Sequence, residues 1–266
     1  MRPDGDGRRR ARANVQSVGE ESAMSRAAGH HRGTAETLAI ELDKVVVEYE
    51  SWTYEGRRRK VERRRALDGV SIGFACGEIV GIDGPNGSGK STLLRTICGI
   101  HVPVCGEVLV YGKKPDIFDS GFKRRIGYAS SRRTALMLDL PLADSFALHC
   151  ELYGVDKHEW WERVETLSSR LDLEALVSRP PREYSQGQRA RAELGLVLLH
   201  KPDLVFLDEA TEALDLEYLP RTLALFREMS AEGATIFVIS HRRDDLECAD
   251  RLVTVEAGKV VRDERI

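Results

Sequence analysis

Nine residues, Gly84-Pro85-Asn86-Gly87-Ser88-Gly89-Lys90-Ser91-Thr92, constrain this chain more than any other stretch. They fit G-x-x-x-x-G-K-[ST], a pattern with chemical meaning only between a strand and a helix. The run before it, Glu78 to Asp83, is short and apolar like a buried parallel strand, and Leu93 to Ile97 continues without a breaker into a helix. A glycine-rich turn that matched by chance would lack both flanks. Glycines 84, 87 and 89 let the backbone curl so that successive N–H groups point inward at a phosphate. The helix N-terminus adds partial positive charge. Lys90 can reach β- and γ-phosphates, and the Ser91 hydroxyl can ligate Mg2+.

A chain of 266 residues accommodates one large α/β domain or two small ones. The net charge of -3 argues against general affinity for nucleic acid. Five cysteines, at 76, 98, 105, 150 and 248, show no CxxC spacing, so buried reduced thiols of a cytosolic protein are expected rather than zinc or disulfides. The best apolar run, Leu194 to Leu199, is far too short to span a bilayer. A membrane role would therefore need a partner.

Residues 1–36, rich in Arg, Gly, Ala and Ser without apolar periodicity, read as a disordered tail, and Met24 is an alternative start. The Arg8-Arg9-Arg10 cluster precedes no apolar segment, which argues against an export signal. Order is expected from Leu38 to Tyr49 as a strand. The basic run Arg57-Arg58-Arg59-Lys60 and Arg63-Arg64-Arg65 reads as a solvated loop, or as a contact with anionic lipid headgroups beside a membrane partner. Between about 118 and 180 the pattern turns helical, with segments near 142–153, 157–171 and 172–177 broken at Gly154 and Pro180-Pro181. Strands and helices then alternate again: a helix from Gln186, a strand Leu204 to Leu207, a helix near Leu219 to Met229 and a strand Thr235 to Ile239. Such alternation implies an α/β fold with a mixed, largely parallel sheet, whose ligands sit at the carboxyl ends of the strands. Asp83, Asp208 and Ser240 fall at such ends.

Leu204-Val205-Phe206-Leu207-Asp208-Glu209 places two acids after an apolar strand, about 110 residues beyond the phosphate loop. In that context Asp208 would hold Mg2+ and Glu209 would orient the water that attacks a γ-phosphate. Tyr184-Ser185-Gln186-Gly187-Gln188 opens a helix with Ser185 and Gln188 at capping-box spacing. A serine cap, a glycine and a bare helix start make a second anion site. Two such sites in one chain invite a dimer, with each nucleotide between the 84–92 loop of one copy and the Ser185 helix of the other.

These pieces resemble the ATPase subunit of ABC transporters: GPNGSGKST, YSQGQ before a helix, LVFLDE, the Ala213-Leu214-Asp215 turn and a strand ending Ser240-His241. The likeness covers about residues 38–262. The passages GYASSRRTALMLDLPLADSFALHCELYGV and RARAELGLVLLHKPDLVFLDEAT look like the subclass serving multidrug, antibiotic and polysaccharide exporters. The resemblance implies a P-loop NTPase core over 37–266, with a helical subdomain inserted at about 118–180. It implies ATP and Mg2+ as cofactors, a second cassette, a separate transmembrane permease and a peripheral place on the cytoplasmic face of the plasma membrane; a homodimer is favoured over pairing with a different cassette because both faces look usable in this chain. It assigns adenine stacking to Tyr49, with Trp52 and Tyr54 as rivals. It assigns γ-phosphate contact across the dimer to Ser185 and Gly187, linkage of the two sites to Asp215, and a γ-phosphate hydrogen bond to His241. Lys90, Glu209 and His241 would be catalytic, and Ser91 and Asp208 would bind the metal.

Departures from the family pattern are specific. A metal-ligating glutamine is usual after the Ile126-Gly127-Tyr128 strand, yet none occurs between residues 117 and 150, and Ser131 or Arg132 holds its place. Arginine offers no acceptor to a metal, whereas serine offers a hydroxyl. Gln186 replaces the first signature glycine, and Ala210 and Ala213 stand where proline and glycine are usual. An active but slow or tightly regulated ATPase is the expectation. The alternatives are an ATP-binding regulatory clamp without turnover, and an ABC-type ATPase acting on ribosomes or DNA. The short, irregular 118–179 segment does not suit the coiled coils of chromosome-type members.

Overall fold

The strand expected to begin at Leu38 runs further than its apolar pattern suggests. In the computed structural model, which describes residues 38–55 and 58–266 (side chains outside 53–59), β1 (Leu38–Glu55) pairs antiparallel with β2 (Arg58–Ala75). Most of the basic run read as a loop is therefore strand. Cross-strand charge pairing explains it: Glu50 meets Arg63 at 2.9 Å and Glu48 meets Arg65 at 3.1 Å. The tail expected over residues 1–36 lies outside the described residues.

A third strand, β4 (Cys105–Val110), completes a small antiparallel sheet in the order β2-β1-β4. The larger sheet contains β3 (Ile79–Asp83), β5 (Ile126–Ser130), β6 (Leu204–Asp208), β7 (Thr235–Ile239), β8 (Arg251–Glu256) and β9 (Lys259–Arg265). Their order is β5-β6-β7-β3-β8-β9, and every pairing is parallel except β8 with β9. The mixed, largely parallel α/β sheet expected from the sequence is what forms. β5 lies within the stretch read as helical and joins this sheet at its edge.

Among the described residues, six α-helices accompany the sheets: α1 (Lys90–Ile97), α2 (Ser120–Arg124), α3 (Leu142–Tyr153), α4 (Lys157–Leu171), α5 (Gln186–Leu198) and α6 (Leu219–Ala231). Gly154 ends α3 in the left-handed conformation, and the Asp156 side chain caps the first turn of α4. The helix expected over 172–177 does not form. Asp172 adopts φ 52° and stops α4, and Arg191 fixes this end through the carbonyls of Leu171 and Asp172. None of the helices is long and apolar enough to cross a membrane among the described residues.

β6 is buried on both faces, as a central parallel strand must be. Leu204 and Phe206 enter one apolar cluster with Phe74, Leu93, Leu94 and Phe237. Val205 and Leu207 enter the other, with Phe146, Leu173, Leu194 and Phe226. The ring of Phe237 stacks on Phe206 at 5.1 Å and meets Phe74 edge-on at 4.9 Å. These clusters hold the strand ends, where the polar residues gather, at fixed spacing. Of the five cysteines, 98, 150 and 248 are buried as expected, but Cys76 and Cys105 are exposed.

Candidate functional site

The chain leaves β3 at Asp83 and curls through residues 84–89 before α1 begins at Lys90. Two glycines are required here by close backbone approach. A Cβ on Gly84 (φ 139°) would lie 2.0 Å from the Val255 carbonyl oxygen, and one on Gly89 (φ 114°) would lie 2.4 Å from that of Ala66. The loop is braced by Gly258 N–H donating to the Ser88 carbonyl at 2.7 Å. Lys90 is buried, and its ammonium donates to the carbonyls of Gly84 at 2.5 Å and Pro85 at 3.2 Å. No side chain caps the start of α1, so its first N–H groups stay available to an anion. The buried Ser88 hydroxyl beside Gly84 has no hydrogen-bond partner among the described residues. Spare donors, a buried ammonium and a helix start suit a phosphate chain.

Asp208 ends β6 and is buried. Its Oδ1 accepts from the Ser91 hydroxyl at 2.7 Å, and its Oδ2 accepts from the Tyr128 phenol at 2.8 Å, with Arg95 Nη2 3.5 Å away. Ser91 and Arg95 share one face of α1, four residues apart. Tyr128 arrives because β5 pairs with β6 in a register that sets Ser130 opposite Asp208. Burial, and then the Asp208 carboxylate, push the Tyr128 phenol upward, so it stays a neutral donor. A hydroxyl and a carboxylate oxygen in contact form a hard donor set that fits Mg2+.

Glu209 sits one residue on with φ 60°, a left-handed conformation uncommon outside glycine. Its N–H donates to the Ile239 carbonyl of the neighbouring β7 at 3.0 Å. Its carboxylate takes the Ser131 hydroxyl at 3.2 Å on Oε2, and has Arg132 at 3.8 Å and His241 Nε2 at 3.9 Å on Oε1. Of the two candidates for the missing glutamine's place, both therefore address Glu209. Behind His241, the fully buried Asp245 gathers Ser240, Thr211 and Arg242. Arg242 also donates to the carbonyls of Thr211 and Leu214, which ties the 211–214 turn to the end of β7.

Tyr49 stands beside the phosphate loop. Its hydroxyl lies 3.1 Å from Thr92 Oγ1 and 2.9 Å from His101 Nε2, and Arg64, across the strand pair from it, donates to the Gly87 carbonyl. Trp52 lies further along the arm and is exposed, while the Tyr54 side chain falls outside the described residues. Ser185 caps α5 in the expected box, donating to and accepting from Gln188. A Cβ on Gly187 would lie 2.3 Å from Asp215 Oδ2, so the signature helix packs directly on the Ala213–Asp215 turn. Among the described residues, no hydrogen bond joins Ser185 or Gly187 to the 84–92 loop. The two anion sites stay separate within one chain.

Sequence reasoning missed Arg95, Tyr128 and the Asp245–Arg242 network. Only the Ser91-x-x-x-Arg95 spacing on α1 gave a signal for any of them.

The family profile described as "ABC transporter" matches residues 67–212, more than half of the chain. MetN of Cupriavidus metallidurans, a methionine import ATP-binding protein, is 37% identical over 76% of this chain and 60% of its own length. YbhF of Escherichia coli, a probable multidrug ABC transporter ATP-binding protein, is 33% identical over 74% of this chain and 34% of its own. The chain thus spans three fifths or less of these relatives. The dimeric structure of MJ0796, a bacterial ABC transporter cassette, superposes with a TM-score of 0.73 at 25% identity, covering 85% of this chain and 98% of that one.

Proposed function

Because the chain belongs to the ABC transporter ATP-binding family, a family of ATPases, we propose that it is the motor of an exporter whose permease is a separate polypeptide. The observation that carries the ATPase part of this reading is the meeting of Ser91 with Asp208 at 2.7 Å, with Glu209 next in sequence. The phosphates of ATP would lie in the Gly84–Thr92 loop, with Lys90 leaving the loop carbonyls to follow the β- and γ-phosphates. Ser91 and Asp208 would hold Mg2+, which when bound neutralises phosphate charge. Glu209 orients the attacking water by accepting its hydrogen bond, and His241 donates to the γ-phosphate. Tyr49 is the adenine-stacking aromatic, being the one beside Thr92.

Two copies would close so that Ser185 and Gly187 of one meet the nucleotide of the other, with Asp215 linking the sites. The separation of the two anion sites within a chain, and the dimer formed by MJ0796, support a homodimer. Residues 37–266 form the ATPase domain, and its helices between 118 and 180 pass movement to the permease at the cytoplasmic face of the plasma membrane. Tighter binding of ATP than of ADP by the closed pair supplies the work. No nucleic-acid partner is part of this reading. Relatives bear both import and multidrug names, so export rests on the passages around 127–155 and 189–211. Steady-state Mg-ATP hydrolysis by the chain and by Glu209→Gln tests the motor: turnover lost in the variant, with ATP-dependent dimerisation kept, is expected. ATP binding without turnover in either protein, even with the permease present, would favour a regulatory clamp.

A further inference from the structure

The two neighbouring acids have separate sets of partners. Asp208 is held by Ser91, Tyr128 and Arg95. Glu209 is approached by Ser131, Arg132 and His241. The chain leaves β5 in a tight turn, with Arg133 N–H donating back to the Ser130 carbonyl at 3.3 Å and Ser131 N–H donating to the Asp208 carbonyl at 3.2 Å. That turn fixes the Ser131 backbone between the acids and leaves its hydroxyl on Glu209 Oε2. Glu209 itself is held by a left-handed backbone and by the Ile239 carbonyl, so its carboxylate has little freedom beyond its side-chain torsions.

We propose that Ser131 is a positioning residue for Glu209, and that the segment after β5 acts on the water-orienting carboxylate instead of on the metal. This rests on the reading of Glu209 given above. With Oε2 engaged by the Ser131 hydroxyl, Oε1 is the oxygen presented to the attacking water. Arg132, exposed and 3.8 Å away, adds only a screened attraction. A movement of the 131–140 segment would then alter the aim of Glu209 while leaving the Ser91–Asp208 pair untouched.

The test uses the full chain and needs no turnover. Affinity is measured by fluorescence for mant-ADP with Mg2+, alone and with aluminium fluoride, a planar mimic of the phosphoryl group in flight. Ser131→Ala is expected to weaken the fluoride complex about three- to tenfold, the scale of one ordinary solvent-exposed hydrogen bond. Binding of mant-ADP alone and the Mg2+ half-saturation should stay unchanged. Ser131→Thr, which keeps the hydroxyl, should restore the complex, and Arg132→Gln should change it by less than about twofold. Glu209→Ala, which removes the acceptor, should weaken the complex by itself and abolish any further effect of Ser131→Ala. An undiminished fluoride complex in Ser131→Ala overturns the proposal, as does a shifted Mg2+ half-saturation or an effect that persists in the Glu209→Ala background. If Glu209→Ala leaves the complex intact, it is the role of Glu209 that fails.

Discussion

The hydroxyl of Ser91 donates to Oδ1 of Asp208 at 2.7 Å, across 117 residues of sequence. The contact is a consequence of sheet order, because β3 and β6 are both hydrogen-bonded to β7 and end at the same edge. α1 then starts directly over the end of β6. Ser91→Ala removes one of two hard oxygen donors and leaves Asp208 with Tyr128 and Arg95. ATP affinity in the presence of Mg2+ should fall about tenfold, the scale seen when a metal ligand or its support is lost. Affinity in EDTA should be unchanged. Calorimetric titrations under both conditions check this.

Gly187 and Asp215 give a second prediction. A Cβ at 187 would stand 2.3 Å from a carboxylate oxygen, well inside contact distance. Gly187→Ala must displace Asp215 or tilt the start of α5, at a cost of about 1–3 kcal/mol for overpacking. Because the residues touch, the effects are not additive, and Gly187→Ala with Asp215→Ala should recover most of the lost stability. Urea unfolding of the single and double variants measures that recovery. Additive losses would show that the two residues do not meet.

The phosphate loop and its two acids were legible because each lies in a few consecutive residues with a strand or helix beside it. The capping box at Ser185 was legible for the same reason. Tyr128 was not, and Ser131 stood out only as a stand-in for a metal-ligating glutamine, because the partners of both depend on β5 being next to β6 with Ser130 opposite Asp208, a register that local pattern does not encode. Asp245 looks like an ordinary surface acid in sequence, and only the return of the chain past the end of β7 buries it. The basic segment misled for a related reason. Its arginines do face solvent, but they do so from a strand, where Glu48 and Glu50 pair with them only once the strands are set side by side. Local composition favoured a helix at 172–177, and the left-handed Asp172 overrides it.

The Asp245–Arg242 pair supports the turn that carries His241. Asp245 is fully buried, and Arg242 reaches it at 2.6 Å while also holding two carbonyls of the 211–214 turn. Arg242→Ala would leave a buried carboxylate with only the Ser240 and Thr211 hydroxyls as donors. A destabilisation of about 3 kcal/mol is expected, as for other buried pairs deprived of one partner. Asp245→Asn keeps the shape and removes the charge, and should cost about half as much. Guanidinium unfolding curves distinguish the two. Equal losses would show that the charge of the carboxylate carries the whole effect and that keeping its shape recovers nothing.

The last prediction concerns pH. His149 on α3 and His200 just after α5 share a hydrogen bond at 2.9 Å, and Tyr153 stacks on both rings. Burial, and then the neighbouring His200, bring His149 down from its ordinary value of 6.5 to about 3. Burial likewise brings His200 to about 4, although its bond to the Ile126 carbonyl opposes the shift. Both rings are neutral in the folded chain and take up protons at 6.5 once it unfolds. The unfolded state therefore binds more protons between pH 6.5 and about 4, so this part of the stability is complete above pH 6.5 and is lost as pH falls. Each ring contributes a slope of at most about 1.4 kcal/mol per pH unit in that window. His149→Phe keeps the stack on Tyr153 and removes one titrating group. Its unfolding free energy should fall less between pH 7 and pH 5 than that of the wild type, by roughly 1–2 kcal/mol. Carboxylates contribute equally to both proteins and cancel in the comparison. Parallel curves for the two would mean that His149 titrates normally in the folded protein and that its ring is open to water.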